Sequence, residues 1–156
     1  MNAQQMENLV REVLARALDD TREQTMVRAG AALDELQAGV NEWAVAAVKK
    51  AQEAERLAEA KRILEAAEAE LIMAETHPEG RINGSSEDKR KQQIRVLLAK
   101  EGANGGLYGQ ASHAFQSAQA AADQAGLEEH IAAEELAAIK IRCRLIEAQL
   151  LVLGAE

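Results

Sequence analysis

From Phe115 onward, apolar and small residues recur by threes and fours: Phe115, Ala118, Ala122, Ala125, then Glu129, and on through Ala132, Leu136, Ile139, Cys143, Ile146, Leu150 and Leu153. This spacing lines the residues along one face of an α-helix, because 3.6 residues complete a turn. Sustained over so many heptads, it predicts a coiled-coil-like helix over 110–153 that needs a second long helix to cover its seam. A seam of alanine, leucine and isoleucine specifies a partner helix and carries no chemistry of its own.

The matching helix is found upstream. A second heptad row runs through Ala29, Leu33, Leu36, Val40, Trp43, Ala47, Lys50, Ala54, Leu57, Lys61, Leu64, Glu68 and Leu71. Its charged members thin the second half, although lysine stems can lie along apolar surface while the ammonium stays wet. From Ala3 to Thr76 there is no proline and the only glycines are Gly30 and Gly39. A helix start inside this stretch rests on Thr21 or Asp20 as a cap, with Gln24 completing a capping box. On that basis residues 1–20 form a separate N-terminal helix, with Met6, Val10, Val13 and Ala17 on its apolar stripe and Leu9, Leu14 and Leu18 widening it.

The segment His77-Pro78-Glu79-Gly80-Arg81-Ile82-Asn83-Gly84 holds the only proline and ends the long helix over 21–76. Ser86, followed by Glu87 and Asp88, suits a helix N-terminus. A short helix reaching about Lys100 is expected, with Ile94, Leu97 and Leu98 on its inner face. The glycine-rich run from Gly102 to Gly109 then leads into the return helix, so residues 77–109 make a tip. The fold class expected is all-α: a long antiparallel coiled-coil-like helical hairpin with a short tip helix and an N-terminal helix.

Composition narrows the options further. Aromatic residues make up 2% of the chain and hydrophobic residues 47%, much of it alanine. Alanine buries little area, so stability has to come from many close helix contacts and from self-association into a homodimer or larger bundle. The net charge of -8 argues against a role in coating nucleic acid, which calls for clustered lysine and arginine. The start has no basic region followed by an apolar run, and no stretch approaches a membrane span, which leads to the expectation of a cytoplasmic protein.

Candidate chemistry is sparse. Gly102, Gly105, Gly106 and Gly109 ahead of a helix invite a phosphate-loop reading, but no strand precedes them and the lysine-serine ending is missing, so a flexible turn is preferred. His77, His113 and His130 have no ligand-like spacing with Cys143 or with one another, and no metal or cofactor is expected. Cys143, on the seam, reads as a small core residue in preference to a reactive thiol. The pairs Glu128/Glu129 and Glu134/Glu135 read as solvated charge, except that Glu129 falls on the seam and is expected to meet Lys50 or Lys61. No nucleophile, base or metal ligand set is nominated, so no enzymatic activity is expected.

The possible interaction residues are Trp43, Lys89, Arg90, Lys91 and Arg95. Trp43 could anchor a partner, with ordinary core packing preferred. Lys89, Arg90, Lys91, Arg95 and Lys100 form the densest basic cluster. A solvated face balanced by Glu87, Asp88 and Glu101 is the preferred reading, with contact to nucleic acid or an acidic partner as the alternative.

The segment 81–90, Arg-Ile-Asn-Gly-Ser-Ser-Glu-Asp-Lys-Arg, sits between two long helices and resembles a motif of small uncharacterised helical proteins of bacteriophages and prophages. Ile82, Gly84 and Arg90 match the motif's aliphatic residue, glycine and arginine. Ser85 and Ser86 stand where lysine and asparagine are usual, and the glycine-rich loop ending at Tyr108 replaces a shorter acidic turn. The similarity spans roughly residues 51–153. It implies a phage-associated helical hairpin whose role is itself undetermined, and supplies no catalytic residues; a host or phage protein is a candidate partner of the chain. Arg90 lies one turn into the capped helix, where a cation opposes the helix dipole. It is therefore expected to hydrogen-bond carbonyls of the 78–84 turn or a nearby carboxylate.

Overall fold

A computed structural model describes residues 3–76 and 79–154, with side chains from residue 8 onward. His77 and Pro78, on which part of the expected turn rests, lie outside the described residues, as does the side chain of Met6. Three α-helices make up the fold: α1 (Ala3–Glu75), α2 (Glu87–Ala103) and α3 (Leu107–Val152). Among the described residues there is no strand.

The expected helix break near Thr21 is absent, so the separate helix over 1–20 is corrected to the first turns of α1. Threonine can serve either role. Here the Thr21 hydroxyl donates back to the carbonyl of Ala17 at 2.7 Å, and the Thr25 hydroxyl to that of Thr21 at 2.8 Å. Both hydroxyls are thus satisfied inside a continuing helix, with no glycine or proline to interrupt it.

Tertiary contacts gather in two units, one formed by the described residues up to Ala46 together with those from Glu129 onward, the other by Ala47–Glu128. In the first unit, the Cys143 thiol donates to the Ala32 carbonyl at 3.5 Å, Arg142 pairs with Glu35, and the Trp43 indole donates to Glu129 at 3.0 Å. Partner numbers fall on α3 as they rise on α1, so the two segments run antiparallel. The seam of α3 is the one anticipated: Leu136 is buried, while Glu129, Ala132, Ile139, Cys143, Ile146, Leu150 and Leu153 are all half-buried.

The facing row of α1 differs from the expected one at every second position. Leu36 and Ala29 are covered as anticipated, but Leu33 and Val40 are 62% and 38% exposed, and Ala32 and Gly39 are buried in their place. A β-carbon on Gly39 would stand 3.0 Å from Ile139 Cδ1 and 3.5 Å from Leu136 Cδ1. The helices approach over the small residues, and the larger branched side chains one position on are turned outward.

In the second unit the α1 row keeps the expected leucines and adds alanines beside them. Leu57, Ala60, Leu64 and Ala67 are half-buried, while Ala54 and Lys61 are exposed. Opposite them on α3, Ala125 is wholly buried and Phe115, Ala118 and Ala122 half-buried. α2 begins where expected: Ser86 is its N-cap, accepting from the Lys89 backbone N–H at 3.4 Å, and Glu87 and Asp88 occupy the first turn. It runs past Lys100 to Ala103, and α3 starts at Leu107 rather than Gln110, so the glycine-rich run is mostly helical. Gly105 has φ +71, the left-handed conformation that closes many helices. Gly109 lets α3 cross the end of α2, since a β-carbon there would come within 2.9 Å of the Glu101 carbonyl oxygen.

Candidate interaction surfaces

The connection from α1 to α2 is closed by side chains that the sequence alone did not single out. The Arg81 guanidinium donates to Glu75 Oε1 and to Glu101 Oε1, each at 2.8 Å, so it ties the last turn of α1 to the last turns of α2. The backbone N–H of Arg81 also donates to Glu75 Oε2 at 3.1 Å. Hydrogen bonding from Glu75 first, and then from Glu101, raises the arginine above its already high ordinary pKa. Beside it, Ile82 is only 3% exposed. Gln93 reaches back from α2, accepting from the Gly84 N–H at 2.9 Å and donating to Asn83 at 3.1 Å.

The role expected of Arg90 therefore belongs to Arg81. Arg90 is exposed, and its backbone N–H donates to the Ser86 carbonyl at 3.1 Å while its guanidinium takes no part in bridging the turn. The physical reason is position: Arg81 follows the turn and stands between two carboxylates, whereas Arg90 leaves the first turn of α2 away from both. Arg81→Ala is expected to lower stability, since it leaves Glu75 and Glu101 without the guanidinium they share. Arg90→Ala should stay within about 0.5 kcal/mol, as surface substitutions usually do. Urea unfolding of the two variants side by side checks the assignment.

The other basic residues do not form one patch. Lys91 and Arg95, four residues apart, share one face of α2, and Lys91 is paired with Glu87 at 2.6 Å. Lys89 and Lys100, eleven residues or about three turns apart, share a different face. Together with Arg81, Gln92, Gln93, Val96 and Leu97 they line an open groove of about 500 Å³. Val96, 62% exposed, lies between the two lysines along that face.

Trp43 lies at the edge of the α1/α3 seam with its ring 39% exposed and its indole N–H taken by Glu129. Neither a fully packed core residue nor an open anchor, it spends its polar handle on the seam. Lys61 lies 3.9 Å from Glu65 on its own helix. Glu128 accepts from Lys49 and from Gln124, and these bonds, Lys49 first, hold its carboxyl below the usual carboxylate range. His113 and His130 are exposed, the latter 3.3 Å from Glu134. Burial raises the Tyr108 hydroxyl above its ordinary pKa, with the charge of Glu68 adding to it. Among the described residues, no three histidine, cysteine or acidic side chains gather closely enough to hold a metal ion. None of the described helices is long and apolar enough to cross a membrane.

The surface feature that stands out is on α3. Besides the seam facing α1, a second row follows the same three-and-four spacing two residues on: Ile131, Glu134, Ala138, Ile141, Leu145, Ala148 and Val152, of which Ala138, Leu145, Ala148 and Val152 border grooves shared with α1. Its large members are open, with Ile131 46%, Ile141 60%, Leu145 61% and Val152 87% exposed. On α1, Met26 and Leu33, spaced by seven, are likewise 55% and 62% exposed. No protein-family model matches the chain, and no curated protein or solved structure matches it.

Proposed function

We propose that this chain is a non-enzymatic helical interaction protein, an adaptor, inhibitor or assembly factor whose working surface is the second apolar row of α3. The observation that carries the reading is that row itself. A helix with a second apolar row beyond its seam gains stability when that row too is covered, and α1 covers the seam. Large apolar patches left in water are the usual mark of an interaction site. The occupant fits the description of an amphipathic helix, supplied by a host or phage protein or by further copies of this chain within a homodimer or larger bundle. The antiparallel α1/α3 pairing in each unit supports an arrangement in which the chain as a whole forms a coiled-coil-like hairpin. The phage association rests on the resemblance of residues 81–90 alone.

The decisive variant is Ile141→Glu with Leu145→Glu. Both residues are exposed, so helicity by circular dichroism should be unchanged while the assembled mass by sedimentation, or the yield of a captured partner, falls at least tenfold. Unchanged assembly and capture would remove the α3 face as the working surface. The second reading, an accessory to DNA replication or recombination, is favoured by the groove between Lys89 and Lys100. It requires DNA binding that weakens steeply with salt and is lost in Lys89→Glu with Lys100→Glu.

A further inference from the structure

The chain holds two Asn-Gly pairs, Asn83-Gly84 between α1 and α2 and Asn104-Gly105 between α2 and α3. An asparagine followed by glycine carries a chemical liability of its own, because a nitrogen with no β-carbon beside it can close on the asparagine Cγ. In that step the glycine N–H gives its proton to hydroxide, the N–Cγ bond forms, the Cγ–Nδ2 bond breaks and ammonia leaves. A five-membered succinimide results. Water then opens the ring at one of its two carbonyls, giving aspartate from one and isoaspartate, whose main chain runs through the β-carbon, from the other.

The two pairs differ in what holds them. Gln93 clamps the first: its Oε1 accepts from the Gly84 N–H at 2.9 Å, and its Nε2 donates to Asn83 Oδ1 at 3.1 Å. One side-chain amide thus engages both the nucleophile and the group it would attack, and ring closure has to break both bonds. The flanks are fixed as well. Gly84 is packed so closely on the first turn of α2 that a β-carbon there would stand 2.8 Å from Lys89 Cβ, and the Ile82 N–H donates to the Glu75 carbonyl at 3.0 Å. Asn104, the C-cap of α2, is exposed, and nothing lies within 4 Å of where a β-carbon on Gly105 would be. Gln110 bonds the Gly105 carbonyl at 3.2 Å, but no side chain among the described residues bonds the Asn104 carboxamide or the Gly105 N–H.

We propose that Asn104 is a site of spontaneous deamidation and isoaspartate formation, and that Gln93 shields Asn83 from the same reaction. The new carboxylate at position 104 stands at the C-terminal end of α2, where the helix dipole disfavours negative charge. Modification therefore loosens the α2–α3 connection as the chain ages, while the α1–α2 connection stays intact.

The test is incubation of the full chain in mildly alkaline buffer, with conversion at each asparagine followed by peptide mapping and mass spectrometry. In the folded chain Asn104 is expected to react at least tenfold faster than Asn83. In urea, where the clamp is gone, the two rates should come within about threefold of each other. Gln93→Met keeps the length of the side chain and removes both hydrogen bonds, so it should speed Asn83 at least fivefold with helicity retained and leave Asn104 unchanged. Equal rates at the two sites in the folded chain overturn the proposal. A tenfold gap that persists in urea also overturns it, by tracing the difference to neighbouring residues and not to the fold. A folded Gln93→Met chain in which Asn83 reacts no faster than in the parent removes the shield.

Discussion

Gly39→Leu is expected to destabilise the chain by about 2–3 kcal/mol, the cost of forcing extra methylenes into a packed contact. The glycine lies where α1 meets α3, and a β-carbon on it would stand 3.0 Å from Ile139 Cδ1 and 3.5 Å from Leu136 Cδ1, so a leucine side chain there presses against both. Gly39→Ala provides the contrast. Its β-carbon would stand 3.0 Å from Ile139 Cδ1, the far end of a flexible side chain that can give by a few tenths of an ångström. Alanine also gains about 0.8–1 kcal/mol of helix propensity over glycine. The two effects oppose each other, so the alanine variant should lie close to the parent. Chemical unfolding of both variants reads the difference. A leucine variant as stable as the alanine one would mean that the helices do not approach at this position.

The second large effect is expected at Leu97, which is 3% exposed and is the one buried side chain of α2. Leu97→Ala removes three methyl-sized groups from beneath the helix and should cost about 2–4 kcal/mol, within the usual range for a buried leucine. Leu97→Met, which conserves volume, should cost less than about 1.5 kcal/mol. The neighbouring Val96 is 62% exposed, and Val96→Ala is expected to change stability by no more than about 0.5 kcal/mol. Urea titration of the three variants gives the ranking. Equal losses at Leu97 and Val96 would contradict the way α2 is turned in the fold.

Much of the local structure was legible from residue spacing. The α3 seam is covered from Phe115 to Leu153, and Ser86 caps α2, because heptad periodicity and capping chemistry act within a single helix. The glycine-rich run was legible as a turn, though not its extent. Gly105 is needed for its left-handed backbone, whereas Gly109 is needed only because α3 crosses the end of α2, a contact between segments with no local signature.

The basic cluster shows the same division. Five cations close in sequence suggested one patch, but the turn of α2 separates Lys91 and Arg95 from Lys89 and Lys100. Arg81, outside the cluster, makes the structural bridge because Glu75 and Glu101 converge on it from two helices. Arg81 had one sequence signal, an arginine just after a turn between acidic helix ends, but its partners were not legible from spacing.

By itself, then, the sequence determined that the chain is helical, where α2 begins, and which face of α3 is covered by α1. Each follows from a period or a cap that a single helix expresses on its own. Only the tertiary structure decided that Ala32 and Gly39, not Leu33 and Val40, meet α3, that Thr21 lies within a continuous helix, and that Arg81 closes the connection to α2. Hydrophobicity ranks leucine and valine above alanine and glycine as core residues. At Ala32 and Gly39 the distance between the two helices reverses that ranking, because close approach there admits small side chains and turns Leu33 and Val40 out to the surface.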